Sequence, residues 1–182
     1  MHIIVTLTSA LVAFGCAGNT IAQPPANATT DRANAFVVSA QRAYVAHLQA
    51  EQAGDVTLYR RSRAKEAVDE TLANLRKHGK TERELGSFLQ SLSRHSLPLD
   101  GFRFLRAEGS GSVGRLLYRR DWQQSGIETV DFLGYVVRLE EGLWKVDCVI
   151  NSTGTRIGVS SGGKLEERTV DEIRNHRCLA IK

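Results

Sequence analysis

Few residues in this chain have the type and spacing to do chemistry. Asp131 is one: it lies within an apolar run beside Phe132, where burial would raise a carboxyl pKa and suit it to general-base work. Asp147, in the run KVDCV, is a second candidate. An acid on a solvated strand face is the commoner arrangement, and no His–Asp spacing accompanies either residue. No G-x-S-x-G is present for a serine nucleophile, and no cysteine lies in an electropositive motif. His47 falls within a helical apolar stripe, where a lone histidine is more often packed than catalytic. The aromatic residues Tyr44, Phe102, Tyr118, Phe132, Tyr135 and Trp144 form the other chemical set, and together they would suit a flat or apolar ligand.

The cysteines depend on compartment. Residues 1–22 carry a short apolar run, Met1 to Ala13, too brief to span a bilayer but sized for the core of a secretory signal. Cleavage before Gln23 follows from Thr20-Ile21-Ala22; Gly15-Cys16 is a degenerate lipoprotein box, and lipidation at Cys16 is the route to a membrane. A periplasmic or secreted location is expected. Cys148 and Cys178 then remain; in an oxidising compartment two such thiols often pair, which would clip the C-terminal tail to the last strand, the alternative being two unpaired thiols with Cys148 packed as a small buried hydrophobe. Two cysteines this far apart with no nearby His pair are no zinc pattern, and no cofactor is implied.

With 42% hydrophobic and 24% charged residues, the composition is that of an ordinary globular domain. The net charge of +4 is a mild excess. Its basic runs, Arg60 to Lys65 and Arg119-Arg120, read as solvated surface, and nucleic-acid binding does not fit an exported chain.

The elements that must position these residues centre on a hairpin. GIETVDFLGYVVRL and LWKVDCVIN read as strands joined by Glu140-Glu141-Gly142, with Gly142 free to take positive φ. The first strand is apolar on both faces, as for a strand covered on both sides or curving round a cavity. Upstream, residues 23–30 read as a linker and Asp31 as the cap of a helix running to about Gln52. A second helix follows from Asp55 to about Lys77. A third begins at the Thr81–Glu84 capping box and stops before Pro98. From Gly101 the period changes to two, giving a strand, a Gly109–Ser112 turn, a strand Val113–Arg120, and a polar loop Asp121–Ser125 holding Trp122. Three helices followed by four or more antiparallel strands predict an α+β domain over 31–151, with the helices gathered on one face of a curved, cone-like sheet. The tail, 152–182, is expected to hold a Ser/Gly-rich loop, a short helix Val170–Asn175 capped by Thr169, and an edge strand Cys178–Ile181.

LQAEQAGDVTLYRRSR, with its helix break at Ala53-Gly54-Asp55, and the closing hairpin EEGLWKV resemble the nuclear transport factor 2-like superfamily. The similarity is to its small exported bacterial members related to lumazine-binding and polyketide-cyclase-like domains, over about residues 32–151. The resemblance implies a cone and a homodimer formed through the sheet; no catalytic polar group of the family matches residue by residue. The expected function is a non-enzymatic exported binding domain. It would take a small apolar or aromatic ligand in its cone or on its open sheet face. The alternative is docking to an envelope protein, as an accessory subunit or an inhibitor, with Trp122 and the Thr153–Gly163 loop as contact surface. A filled interior beside an exposed apolar patch would favour the protein partner; a deep cavity would favour the ligand.

Overall fold

The structure, a computed structural model, describes residues 26–124, 127–155 and 161–175. Over the described residues the fold is α+β, with four α-helices ahead of a four-stranded antiparallel sheet and a fifth helix after it. Helix α1 spans Ala26–Ala53, so the expected linker is helical from Ala26 and Asp31 lies inside the helix. Its inner stripe is as the spacing predicts: Ala40, Ala43, Tyr44, His47 and Leu48 are all buried. Asp55 caps the next helix, its Oδ1 accepting from the Leu58 N–H at 2.9 Å.

The predicted second helix is two: α2, Val56–Ser62, and α3, Lys65–Lys77. Between them the chain extends, the Ala64 N–H donates to the Val146 carbonyl at 2.8 Å, and Arg63 makes a parallel bridge to Val146. An unpaired strand edge is what interrupts the helix. No glycine or proline marks the break, so its cause is not local. The capping box at Thr81 and Glu84 forms around a 3-10 turn, Glu82–Glu84, that leads into α4, Leu85–Ser93.

Strands β1 (Arg103–Ser110), β2 (Val113–Gln124), β3 (Ile127–Glu140) and β4 (Leu143–Thr155) form a meander in the order β1-β2-β3-β4. The expected loop at Asp121–Ser125 is strand as far as Gln124, because Trp122 pairs with Thr129 and Gln123 with Glu128. Likewise β4 runs on to Thr155, past the expected start of the tail. At the β3–β4 turn Glu141 and Gly142 have φ of 54° and 78°, the paired positive values of a two-residue hairpin turn.

Both faces of β3 are covered. On one lie Leu133, Tyr135 and Val137, packed with Leu116, Tyr118 and Val146 beneath Ala40, Ala43, Tyr44 and Leu48 of α1. On the other lie Val130, Phe132 and Val136, packed with Leu117, Cys148 and Ile150 against Val170 and Ile173. Those last two belong to α5, Ser161–Arg174, which corrects two expectations. The tail helix starts well before Thr169, whose hydroxyl donates to the Leu165 carbonyl inside it rather than capping it. The helices are not gathered on one face, since α5 covers the face opposite α1. The expected strand Cys178–Ile181 lies outside the described residues, as do residues 1–22.

Gly134 lets α5 seat. A Cβ there would overlap Cγ1 and Cδ1 of Ile173 and touch Thr169 Cγ2. Gly134→Ala should therefore destabilise by about 1–3 kcal/mol through overpacking, read as a lower urea midpoint. Amide exchange should quicken over 165–173 while α1 stays protected.

Candidate functional site

Five of the six aromatic residues expected to line a pocket share the α1 side of the sheet; Phe132 is on the α5 side. Tyr44 stacks on Tyr135 at 4.6 Å between ring centroids, and Tyr135 stacks on Tyr118 at 5.7 Å. The three rings are at most 2% exposed, so they fill the interior between α1 and the sheet rather than line a hollow. Their polar tips are satisfied: the Tyr44 hydroxyl donates to the Leu97 carbonyl at 2.7 Å, and those of Tyr118 and Tyr135 bond each other at 3.1 Å. Burial raises all three phenol pKa values above the ordinary tyrosine value. Trp144 meets Phe36 edge-on at 4.9 Å, and Phe102 lies under the Arg120 guanidinium at 4.7 Å.

Beyond Tyr44, α1 carries a buried polar group of which the sequence points to His47 alone, without its partners Glu51 and Ser96. His47 Nε2 lies 3.3 Å from Glu51 Oε1, one helical turn on, and the Ser96 hydroxyl donates to Glu51 Oε2 at 2.6 Å. The order is serine, carboxylate, imidazole. A hydrolytic triad needs the imidazole in the middle, so this hydroxyl is not activated as a nucleophile. His47 is buried, as expected for its stripe, and its Nδ1 has no protein partner. Burial lowers the imidazole pKa well below its ordinary value, with the Arg63 charge acting in the same direction. Burial raises the Glu51 pKa, against the opposing pulls of the Ser96 bond and Arg63. The readable signal was the i,i+4 spacing of His47 and Glu51 on the buried stripe.

Asp131 is buried, but it is not poised as a base. Arg120 donates from Nε and Nη2 to its Oδ2 at 3.1 and 2.6 Å, and the Thr153 hydroxyl donates to Oδ1 at 2.8 Å. Both oxygens are committed to an ion pair and a cross-strand bond. Asp147, at the bulge in β4, is buried and accepts from Arg138 Nε at 2.7 Å. Cys148 is 1% exposed under α5 and is half of a disulfide whose other half lies outside the described residues. Among the described residues no group of three His, Cys, Asp or Glu could hold a metal ion, and no helix is long and apolar enough to cross a membrane.

The sheet end remote from α1 is different in kind. Phe104 is 44% exposed, Trp122 36% and Ile127 48%. Strand alternation puts them on the α1 side, beyond the part of the face that α1 covers. Between them the Arg120 guanidinium lies 4.7 Å from the Phe102 ring and 5.7 Å from Trp122, anchored below by Asp131. The ion pair thus holds the half-buried Arg120 guanidinium close to two aromatic rings. A second, shallow cleft lies on the α5 side, with room for about one water molecule; Arg106, Glu108, Arg115 and Arg174 rim a floor of Leu117, Val170 and Ile173. Comparison with family models, curated proteins and solved structures finds no match.

The buried pair predicts a pH response with two signs. The folded pKa of His47 is depressed, so the unfolded chain takes its proton first and stability is lost as pH falls below about 6.5. That of Glu51 is raised, so the folded state holds its proton longer and stability is lost as pH rises through the folded value. Urea titrations from neutral to mildly acid pH should show His47→Gln abolishing the acid-side loss and Glu51→Gln steepening it.

Proposed function

We propose that this chain is an exported, non-enzymatic binding domain that holds a protein partner against the open end of its sheet. The carrying observation is a contrast. The aromatic residues between α1 and the sheet are stacked core, while Phe104, Trp122 and Ile127 lie exposed round an oriented arginine. Tryptophan, phenylalanine and arginine together are the composition of interface hot spots, and Arg120 is pre-ordered by its ion pair, so little side-chain entropy remains to be lost on docking. Against an enzyme stand the committed oxygens of Asp131 and the order of the Ser96–Glu51–His47 chain. The proposed setting, a cone-like domain of the nuclear transport factor 2-like class behind a cleaved signal over residues 1–22, rests on the sequence resemblance and the short apolar N-terminal run. A membrane tie would come only through Cys16.

We further propose that Cys178 is the other half of the Cys148 disulfide. Helix α5 ends at Arg174 on the face where Cys148 is buried, and four residues can reach about 13 Å. The bridge would close a loop of about thirty residues and stabilise by about 3–4 kcal/mol in the chain-entropy picture. Non-reducing peptide mapping of the exported protein should find the Cys148 and Cys178 peptides joined; two free thiols there would sink the assignment.

For the docking surface, a photo-crosslinker replaces Phe104 or Trp122, with Val45 on the outer side of α1 as control. A single adduct should form at both patch positions and not at the control in envelope extracts of the native host. The double variant Phe104→Ala, Trp122→Ala should lose capture of that partner by about a hundredfold at unchanged unfolding midpoint, the scale of one or two hot-spot residues. Equal capture by both proteins, or native mass spectra showing a small molecule released by the variant, would overturn the protein-partner reading.

A further inference from the structure

We propose that the junction of α1, the α2–α3 break and β4 is an acid-released latch: a proton taken up at His47 Nδ1 drives Arg63 and Ala64 off the edge of β4, loosening α2 and α3 from a sheet that stays folded. The α1 side of the molecule holds two cores. One joins α1 to the sheet through Tyr44, Leu48, Tyr135 and Val146; the other joins Ala50 of α1 to Tyr59, Val68 and Leu89 of the later helices. The His47 ring lies where they meet, 6.2 Å from the Tyr44 ring in the first core and 5.9 Å from the Tyr59 ring in the second. Away from the sheet the helices are locked together. A Cβ on Gly54 would stand 2.8 Å from the Gly86 oxygen, so the end of α1 and the start of α4 lie backbone to backbone. Toward the sheet the α2–α3 break is held by less. Arg63 bridges to Val146, the Ala64 N–H donates to the Val146 carbonyl, and the Lys65 N–H is shared between the two Glu140 carboxylate oxygens at 3.2 Å.

The chemistry of the junction gives the latch its trigger. Two nitrogens, His47 Nδ1 and Arg63 Nε, are buried with no hydrogen-bond partner among the described residues. The Glu51 carboxylate accepts from His47 Nε2, so the neutral ring carries its proton there and presents a bare lone pair at Nδ1. A second proton turns Nδ1 into a buried donor without an acceptor. It also sets an imidazolium in the field of the Arg63 guanidinium, whose Cζ lies 6.0 Å from the same Tyr59 ring. The other titratable groups round the ring are Tyr44, Glu51 and Tyr59. Those of β4 turn elsewhere, Lys145 to Glu140 and Glu141, and Asp147 to Arg138. Glu51 alone can offset a charge on the ring, and it already serves Ser96 and answers Arg63. Arg63 is half-buried on an extended stretch, so the added charge is relieved when that stretch leaves the edge and the guanidinium reaches water. The closed form binds fewer protons, and acid therefore favours the open one. Release is local, unlike the loss of whole-chain stability, and it bares the Val146 carbonyl at the sheet edge.

Hydrogen exchange of the full chain at about pH 7 and about pH 5, corrected for the intrinsic exchange rate, tests it. The Ala64 amide and its neighbours over 62–68 should lose protection by about tenfold on acidification, while amides over 129–137 in β3 keep theirs. His47→Gln should abolish the difference. Arg63→Met, which keeps the apolar stem and removes the charge, should shrink it, and decides alone if His47→Gln loses its cooperative urea transition. Ala64 protection that is the same at both pH values overturns the proposal. So does a loss that the variants retain in full, or one that β3 shares equally, which is unfolding of the whole chain.

Discussion

A strand with no solvent face dictates this fold. Along β3 the residues from Thr129 to Val137 are all buried, odd positions toward α1 and even positions toward α5. Such a strand cannot keep its place unless both sides are covered, since each large apolar side chain left in water would cost about 1.5–3 kcal/mol. The two covers come from opposite ends of the chain. Helix α1 precedes the sheet and α5 follows it, so the second face of the sheet is covered by residues that come after all four strands. Gly134 is where this requirement is most local, because Ile173 occupies the space a side chain would take.

The polar groups on the α1 side are arranged to match that sealing. Three tyrosine rings stack between helix and sheet, yet each hydroxyl finds an oxygen, one of them a main-chain carbonyl in the segment after α4. Ser96, in the same segment, reaches Glu51, and Asn151 donates to the His95 carbonyl at 3.2 Å. The 95–97 segment is therefore fixed by polar contacts from both α1 and β4. Apolar packing alone would leave an irregular stretch of this kind free to slide; directional bonds give it one position. His47 and Glu51 belong to this scheme. They are buried because α1 must lie flat, and their pKa values move apart from the ordinary ones because burial disfavours the charged form of each.

Much of this was legible in the sequence and some was not, for reasons that can be assigned. The stripe of α1, the caps at Asp55 and Thr81, the glycine at the β3–β4 turn and the two-sided burial of β3 are all local patterns, and each is found in the structure. The split between α2 and α3 was invisible because its cause is the carbonyl of Val146, some eighty residues away. The strand at Asp121–Gln124 was hidden because Asp121, Trp122 and Gln123 are all exposed, so no buried-exposed periodicity distinguishes it from a loop. Five of the six aromatic residues share the α1 side of the sheet, and Phe132 lies on the other. Composition could not say that Tyr44, Tyr118 and Tyr135 would stack into a filled interior, because whether rings line a space or close it is decided by how near α1 approaches the sheet.

That closeness carries the functional argument. An aromatic cluster can bind a ligand only if the fold leaves a gap, and here the rings of Tyr44 and Tyr135 lie nearly parallel, with 6° between their planes, in direct stacking contact. Opening a gap there would break the stack and strand the Tyr44 hydroxyl, whose partner is the segment after α4. The energy that holds the interior shut is thus the same energy that positions that segment beside Phe102 and Arg120. What the fold withdraws from the interior it presents at the sheet end, where Asp131 and Thr153 tie down one arginine between two rings. A buried carboxylate on a central strand is costly unless its bonds are all made. Here they are made in a way that also fixes the Arg120 side chain beside Phe102 and Trp122, so the residue that looked most like a general base serves to position an arginine.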